Sequence, residues 1–297
     1  MSDAEQRRGQ LVLVATPIGN LGDISPRARQ VLATAELICC EDTRRTRALL
    51  SAMGIAAGGA RGDRLVSLHG HNEASRVERV LSCVAGGGTV AVVSDAGMPG
   101  ISDPGALLVS RLADAGQTVS VVPGPTSIVS ALVVSGLPTE RFCVEGFLPR
   151  RGGERRARIA ALMADQRTTV VLEAPGRVAA TLAELAAIHG ARRVAVVREL
   201  TKVHEEVWRG TAAQGAAIFA ERPLRGEVVL VIDGASPSGP MSEDALRAAV
   251  QRRIDQGPGD GPRQIAHELS ETLGVPKRAV YEAVLRLRGE GEVHRDP

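Results

Sequence analysis

The sequence contains few aromatic residues. One tryptophan, one tyrosine and three phenylalanines make up 2% of its 297 residues. Proteins that recognise single-stranded RNA by stacking its bases use exposed aromatic rings as platforms. The composition argues against a recognition surface of that kind, so we expect any contact with RNA to depend on phosphate charge and on shape.

Cysteine and long apolar runs are scarce as well. Cys39, Cys40, Cys83 and Cys143 have neither Cys-x-x-Cys nor Cys/His metal-ligand spacing, so we expect no metal and interpret them as small core residues in a reducing compartment. No apolar run approaches the length of a membrane span, and the opening MSDAEQRRGQ has no apolar signal region. We therefore expect a cytoplasmic protein without a membrane partner.

Several motifs of nucleotide-binding and hydrolytic enzymes are absent. The sequence contains no G-x-x-x-x-G-K-[ST], no H-E-x-x-H and no G-x-S-x-G. A G-x-G-x-x-A match at 86–91 precedes an apolar strand, whereas the dinucleotide fingerprint follows one. These absences weigh against kinases, P-loop NTPases, metalloproteases and serine hydrolases.

Lysine is rare, because only Lys202 and Lys277 occur among the 36 basic residues. The others are arginines, in a chain that is also rich in alanine and glycine, which indicates a bias of the genome. A single arginine therefore carries little information, whereas a lysine invites a question about its chemistry. The formal net charge of +2 is weak evidence for a polyanionic partner.

The chain length of 297 residues favours two domains. In the first part of the chain, short apolar strands alternate with helical patterns. The strands are expected at 11–15, 37–42, 65–70, 89–95 and 118–124. This alternation predicts an α/β domain with a largely parallel sheet over residues 1–121. Later apolar segments include hairpin-type neighbours, which predicts a second, mixed-sheet domain over 122–235.

Residues 242–297 form a separate segment after a stretch rich in serine, proline and glycine. The pattern IAHELSETLGVPKRAVYEAVLRL predicts two helices with a turn at 273–275, the second helix opening at Pro276. This small helical tail is similar to a helix-turn-helix motif. Two interpretations stay open: the pair contacts nucleic acid, or it packs on the body of the protein or on a dimer partner.

A glycine-rich loop is the most distinctive feature of the chain. The segment TVAVVSDAGMPGISDPG, residues 89–105, takes a buried strand to Asp95 and continues through three glycines and two prolines. Ligands of α/β sheets bind at the carboxyl ends of strands, where glycine lets the backbone approach them closely. A plain strand-to-helix connection is usually shorter. We therefore predict a ligand-binding loop.

Nine ordered motifs lie between residues 10 and 235. They are TPIGNLGD (16–23), EDTRRT (41–46), SLHGHNE (67–73), SDAGMPGISDPG (94–105), VPGPTS (122–127), GFLPR (146–150), LEAPGR (172–177), RELTKVHEE (198–206) and GEVVLVIDG (226–234). In this order they resemble the tetrapyrrole methylase superfamily of S-adenosylmethionine enzymes. Within it they look like the branch that methylates a cytidine ribose 2′-hydroxyl in 16S ribosomal RNA.

The resemblance implies a homodimer of two-domain subunits, with S-adenosylmethionine in the cleft between the domains and 16S ribosomal RNA or the small ribosomal subunit as partner. It also implies the residues that contact the cofactor. These are Asp95, Ala96, Gly97, Met98, Pro99, Thr126, Ser127, Leu172 and Glu173, with Leu200 and Val229 near the adenine. A cationic sulfonium prefers carbonyl and carboxylate oxygens, and adenine prefers an apolar slot, which strand ends and a Gly/Pro loop supply.

A dense group of arginines follows the GFLP motif. It comprises Arg150, Arg151, Arg155, Arg156 and Arg158, with Glu154 as the acidic residue among them. Gly152 and Gly153 predict a flexible loop, so we expect these arginines to contact RNA phosphates. The alternative is a solvated helix face.

Lys202 is the candidate catalytic residue, because it follows the strand VAVV at a point that the resemblance puts beside the cleft. As an ammonium, Lys202 could stabilise a developing alkoxide; as a neutral amine, if burial lowers its pKa, it could take the hydroxyl proton. Glu199 would orient Lys202 or share the proton. The alternative is that the two residues form an ordinary surface ion pair.

Two rival functions stay open. A methylase of a small tetrapyrrole is disfavoured because the tetrapyrrole-modifying members carry GxGPGD where this chain has Thr16-Pro17-Ile18-Gly19-Asn20. A ribosome assembly factor that has lost catalysis is disfavoured by the intact motifs of the cofactor loop.

Overall fold

The computed structural model describes residues 9–59, 62–70, 72–235, 243–257, 260–273 and 275–293. Contacts divide the chain into two compact units, Met1–Gly234 and Ala235–Pro297, and each is described by itself. The first unit contains two five-stranded sheets.

The first sheet is parallel throughout, as the sequence predicts, and its strands run in the order β5-β2-β6-β1-β7. A short antiparallel pair, β3 with β4, stands apart from it. The strands are β1 (Gln10–Val14), β2 (Leu37–Cys40), β3 (Gly58–Gly59), β4 (Gly62–Asp63), β5 (Leu65–Ser67), β6 (Thr89–Val93) and β7 (Thr118–Val122). The helices are α1 (Pro26–Thr34), α2 (Thr43–Ala52), α3 (Glu73–Ala85) and α4 (Ala106–Asp114).

The N-termini of α1 and α2, which follow strands of this sheet, are fixed by capping residues that the sequence shows. Ser25 caps α1 by accepting a hydrogen bond from the Ala28 amide at 3.1 Å, and Pro26 occupies the first helical position. Asp42 caps α2 by accepting from the Arg44 amide at 2.8 Å. Because β2 and β6 are parallel neighbours, the loops that follow them meet at one edge of the sheet.

The second sheet is mixed, as the sequence predicts. Its order is β11-β10-β12-β9-β8, in which only the β8–β9 pair is parallel among the described strands. The strands are β8 (Phe142–Phe147), β9 (Thr168–Glu173), β10 (Arg193–Arg198), β11 (Glu206–Thr211) and β12 (Val228–Ile232). The helices are α5 (Ser127–Ser135), α6 (Gly152–Ala164), α7 (Val178–His189) and α8 (Ala212–Glu221).

Helix α5 packs on one face of this sheet. Its buried Ile128, Ala131 and Leu132 share a core with Val170 and Val229. Apolar side chains of α6, α7 and α8 form a separate core with Leu230 and other residues of the strands. The sheet is therefore covered on both faces, which explains why β12 is buried along its whole length.

The prediction of a flexible arginine loop was wrong. Gly152 and Gly153 form the first turn of α6, which continues to Ala164. Ile159, Leu162 and Met163 of α6 are buried in the core of the second sheet. Their helical spacing fixes the segment even though glycine disfavours helix.

The second unit is helical, as predicted for the tail. Its helices are α9 (Glu243–Gln256), α10 (Pro262–Leu273) and α11 (Lys277–Val293). Val250, Ile265 and Val280 belong to their common core. Gly274, in the predicted turn, lies outside the described residues. Over the part of the chain that the structure describes, no helix is long and apolar enough to cross a membrane.

Candidate active site

A cavity of about 380 Å³ lies in the first unit, between the loops at the carboxyl edge of the first sheet and the ends of strands in the second. Every predicted cofactor residue except Pro99 lines it, and so does Glu199, whereas Lys202 does not. The other lining residues are Ile18, Arg45, Ile101, Ser102, Asp103, Ile128, Phe147, Ala174, Pro175, Val197, Gly226, Glu227 and Val228.

The glycine-rich loop is joined to the loop after β1 at one point. Thr16 and Gly97 exchange backbone hydrogen bonds of 2.9 and 3.0 Å. Gly97 has φ +80°, and a Cβ built there would come within 3.4 Å of the Ile18 Cγ2 atom. A side chain at this position would therefore strain the backbone and crowd the cavity wall.

The Asp95 carboxylate is held by donors from the loop after β2. Its Oδ1 accepts a hydrogen bond from the Asp42 amide at 3.2 Å, and its Oδ2 lies 3.2 Å from the Arg45 guanidinium. The carboxyl ends of neighbouring parallel strands bring these residues together. Asp95 thus presents a fixed negative charge at the cavity wall.

Glu173 lies at the end of β9 and is 2% exposed. The Thr181 hydroxyl and the Ala174 amide donate to its carboxylate at 2.7 and 2.9 Å. The Arg177 guanidinium lies 3.3 Å away, and that of Arg155 lies 4.0 Å away. This carboxylate is therefore part of a buried structural network as well as of the cavity wall.

Arg155 is buried, which contradicts its prediction as an RNA contact. It is 5% exposed, and its guanidinium donates to Glu184 at 2.9 Å and to the Thr181 hydroxyl at 2.9 Å. Its position on α6 points it into the core beside Glu173. With its donors engaged inside the protein, Arg155 is unavailable to phosphate.

The other arginines of the group are exposed. Arg150, Arg151 and Arg156 lie at the surface around the start of α6. Arg158 is exposed too, but its guanidinium contacts the Glu145 carboxylate of β8. The structure therefore leaves three arginines of this group with solvent-facing charge and no ion pair within the described residues.

Lys202 forms two ion pairs beside the cavity. Its Nζ lies 3.0 Å from Glu199 Oε1 and 3.2 Å from Glu227 Oε2. Burial acts to lower the Lys202 pKa, but the two carboxylates outweigh it and leave that pKa above its ordinary value. Of the two roles predicted for Lys202, this direction of the pKa favours the ammonium form over a neutral amine that takes a proton.

Glu199 holds two cavity segments together. Its Oε1 accepts from the Glu227 amide at 2.8 Å as well as from Lys202, and these hydrogen bonds hold the Glu199 pKa below its ordinary value. Glu199 and Thr201 adopt positive φ angles of 50° and 65°. Strained backbone of this kind persists where surrounding contacts enforce it, as they do here.

Sequence reasoning missed several lining residues, above all Arg45 and Asp103. Arg45 and Asp95 also line a second, polar cavity of about 430 Å³, with Glu41, Asp42, Thr43, Arg44 and Ser67. Asp103 lies in the SDPG part of the predicted ligand loop, and that position was the available signal for it.

A sequence model of the tetrapyrrole (corrin/porphyrin) methylases matches residues 10–216. The chain belongs to the tetrapyrrole methylase family. A relative from Mycobacterium tuberculosis, named ribosomal RNA small subunit methyltransferase I, is 46% identical over 95% of this chain and 96% of its own. The protein of that name from Escherichia coli O157:H7 is 39% identical over 96% of this chain and 98% of its own.

Solved structures of other proteins share the fold. A uroporphyrin-III-C-methyltransferase from Thermus thermophilus has a TM-score of 0.52 at 23% identity, over 76% of this chain and 94% of that one. A diphthine synthase has a TM-score of 0.55 at 14% identity, over 76% of this chain and 90% of that one. At these identities the likeness identifies the fold of this tetrapyrrole methylase family member.

Proposed function

We propose that this protein is an S-adenosylmethionine-dependent methyltransferase that methylates the ribose 2′-hydroxyl of a cytidine in 16S ribosomal RNA. The observation that carries the proposal is the near full-length match to relatives named ribosomal RNA small subunit methyltransferase I. The cavity at the carboxyl edge of the first sheet supports it. The assignment of the methyl acceptor to the ribose rather than the base rests on the resemblance of the sequence motifs to the branch that methylates a cytidine ribose.

The cavity fits the cofactor by its size and its chemistry. Its volume of about 380 Å³ lies within the range of roughly 300–1,000 Å³ for small-molecule sites. Asp95 and the exposed backbone of the glycine-rich loop supply oxygens for a sulfonium cation. Leu172, Leu200 and Val229 supply an apolar wall for adenine. The other predicted lining residues would complete the binding site.

The bound cofactor would supply a methyl group that its sulfonium charge already activates. The protein therefore has to align the acceptor and assist loss of its proton. Two backbone hydrogen bonds between Thr16 and Gly97 hold one part of the cavity wall in place before the cofactor binds. The ion pair of Asp95 with Arg45 holds another. No proposed step requires a metal.

Lys202 and Glu199 enter the proposal as positioning residues. Their ion pair and the Glu199 hydrogen bond to the Glu227 amide tie residues 199–202 to residues 226–229. Both segments contribute lining residues, including Leu200 and Val229. Breaking the pair should loosen the adenine side of the cavity.

The RNA-binding part of the proposal now rests on the exposed arginines Arg150, Arg151 and Arg156. Guanidinium groups at a surface bind phosphates and release counterions. Arg158 is a weaker contributor because Glu145 already neutralises it. A nucleic-acid role for α10 and α11 stays a prediction, as does the division of the first unit at 121/122.

The homodimer is also a proposal, and exposed apolar residues support it. Val121 on β7, Val133 on α5 and Phe147 on β8 are 47%, 65% and 62% exposed. Strands β7 and β8 are the edges of their sheets. Exposed apolar residues on edge strands and on a helix surface favour association with a second copy. We place the dimer in the cytoplasm, where ribosomal subunits assemble.

Mapping ribose methylation in ribosomes of a deletion strain tests the proposal. One 2′-O-methylcytidine of 16S RNA should disappear and return on complementation. Unchanged methylation would contradict the proposed substrate. Calorimetric titration with S-adenosylmethionine distinguishes an enzyme from a non-catalytic assembly factor, and thermal stabilisation by corrinoid precursors rather than by 16S RNA would favour the tetrapyrrole alternative.

A further inference from the structure

Five carboxylates line the cavity, and four of them are committed to cations. Asp95 pairs with Arg45 at 3.2 Å and Glu173 with Arg177 at 3.3 Å. Glu199 and Glu227 pair with Lys202 at 3.0 and 3.2 Å. Each of these four carboxylates therefore has a cation within 3.3 Å.

Asp103 is the exception. It lines the cavity, and among the residues that the structure describes it has no lysine or arginine partner. Burial and the negative charges of Glu41 and Asp95 raise the pKa of Asp103 to about 6. A carboxylate with this pKa is mostly ionised at neutral pH and is more basic than an ordinary aspartate.

The position of Asp103 is fixed by its neighbours in the loop. Ser102, directly before it, has a positive φ of 63°. Two residues after it, the Gly105 amide donates to the buried Glu73 carboxylate at 3.1 Å, and the Leu108 amide donates to the same oxygen at 3.0 Å. Glu73 of α3 thus holds the loop that carries Asp103 through two hydrogen bonds to its backbone. A general base needs a fixed position of this kind to act.

The second polar cavity offers the acceptor an approach. It shares Asp95 and Arg45 with the cofactor cavity, and it includes Glu41, one of the two charges that act on Asp103. Arg44 also lines this cavity, and its exposed guanidinium is paired there with Asp42 at 3.0 Å. An acceptor ribose entering from this side would meet the cofactor cavity near Asp103.

We propose that Asp103 is the general base that takes the proton from the acceptor hydroxyl. The inference rests on the proposed methyl transfer. The acceptor oxygen forms a bond to the methyl carbon while the carbon–sulfur bond breaks and leaves its electron pair on sulfur. The hydroxyl proton passes to the Asp103 carboxylate, which then releases it to water.

The decisive variant is D103N, which keeps the size and polarity of the side chain and removes the base. Its single-turnover rate on small ribosomal subunits should fall by roughly 10²–10⁴-fold, while calorimetric affinity for S-adenosylmethionine stays within about threefold. D103E should recover part of the rate. D114N, at the exposed end of α4, is the control and should match the parent.

A second readout needs no activity. A raised carboxyl pKa means that the folded protein holds a proton that the unfolded chain releases near pH 4, so the contribution of Asp103 to the free energy of unfolding should fall as the pH rises from about 4 to 6. D103N should lack this fall. Glu41, Asp95, Arg45 and Glu73 remain in both proteins, so the difference between the two isolates Asp103.

The two measurements distinguish the possible failures. Near-parent rates in D103N would overturn the base role, and so would loss of cofactor affinity, which would make Asp103 a binding residue. Identical pH dependence of unfolding would also overturn it, since no carboxyl of raised pKa would then be present. A parent protein that transfers no methyl group to the subunit would instead contradict the proposed function, while the unfolding comparison would still report on Asp103.

Discussion

Thr16 and Gly97 exchange two backbone hydrogen bonds, of 2.9 and 3.0 Å, and so join the loops that follow β1 and β6. The bonds require Gly97 to keep its φ of +80°. A ligand that lies against this loop depends on a conformation that a branched side chain disfavours.

Gly97→Val should therefore abolish binding of S-adenosylmethionine, with a loss of at least 100-fold in calorimetric affinity. The matched control is Gly116→Val, because Gly116 also has a positive φ, of 68°, but does not line the cavity. Both variants should lose about 1–3 kcal/mol of stability. Undiminished affinity in folded Gly97→Val would remove the loop from the cofactor site.

Neutralising Arg150, Arg151 and Arg156 together with glutamine should weaken binding to 16S RNA. The slope of log affinity against log salt should fall in magnitude by roughly two to three, because about three phosphate contacts are lost. Cofactor affinity should not change. A salt slope equal to that of the parent would identify these residues as solvated surface.

Arg155→Gln is the contrasting variant within the same group. It should leave the salt slope unchanged and lower the free energy of unfolding by about 3–5 kcal/mol, since Glu173 and Glu184 lose their buried partner. Chemical denaturation measures this loss. Full stability together with a reduced salt slope would contradict the assignment of Arg155 to the core.

Lys202→Ala should lower cofactor affinity about tenfold, because the ion pairs to Glu199 and Glu227 hold two cavity segments together. Lys202→Arg can keep both pairs and should retain affinity and most of the single-turnover rate. The comparison separates positioning from proton transfer. If Lys202→Arg bound the cofactor normally but lost its rate, the ammonium itself would have a catalytic role.

Val133→Asp should convert the dimer to monomers by placing a charge at an exposed apolar position of α5. Val203→Asp is the control, since Val203 is 97% exposed and lies in the turn before β11, on neither α5 nor an edge strand of the proposed interface. Sedimentation velocity distinguishes the two states. A dimer that persists in Val133→Asp, or a parent that is monomeric, would contradict the proposed interface.

The first sheet could be predicted from the sequence because each strand is a short apolar run that ends at a recognisable helix start. Ser25 with Pro26 and Asp42 provide such signals locally. The glycine-rich loop that lines the cavity could be found for the same reason, since its glycines and Asp95 lie close together in the sequence.

Helix α6, the burial of Arg155 and the environment of Asp103 depend on contacts between residues that local sequence patterns do not show. Helix α6 was missed because two glycines and a run of arginines obscure the spacing of Ile159, Leu162 and Met163. Arg155 is buried because Glu173, Thr181 and Glu184 of other elements converge on it. Asp103 differs from the other cavity carboxylates by having no cation beside it among the described residues, and only the folded arrangement of charges shows which carboxylates are paired.

The central claim is tested most directly by methyl transfer with purified protein, labelled S-adenosylmethionine and small ribosomal subunits that lack the modification. Nuclease digestion and mass spectrometry of the 16S RNA identify the product. The account predicts one labelled 2′-O-methylcytidine per subunit, absent with Gly97→Val. Label on a base, or no label in RNA with transfer to a corrinoid precursor instead, would contradict it.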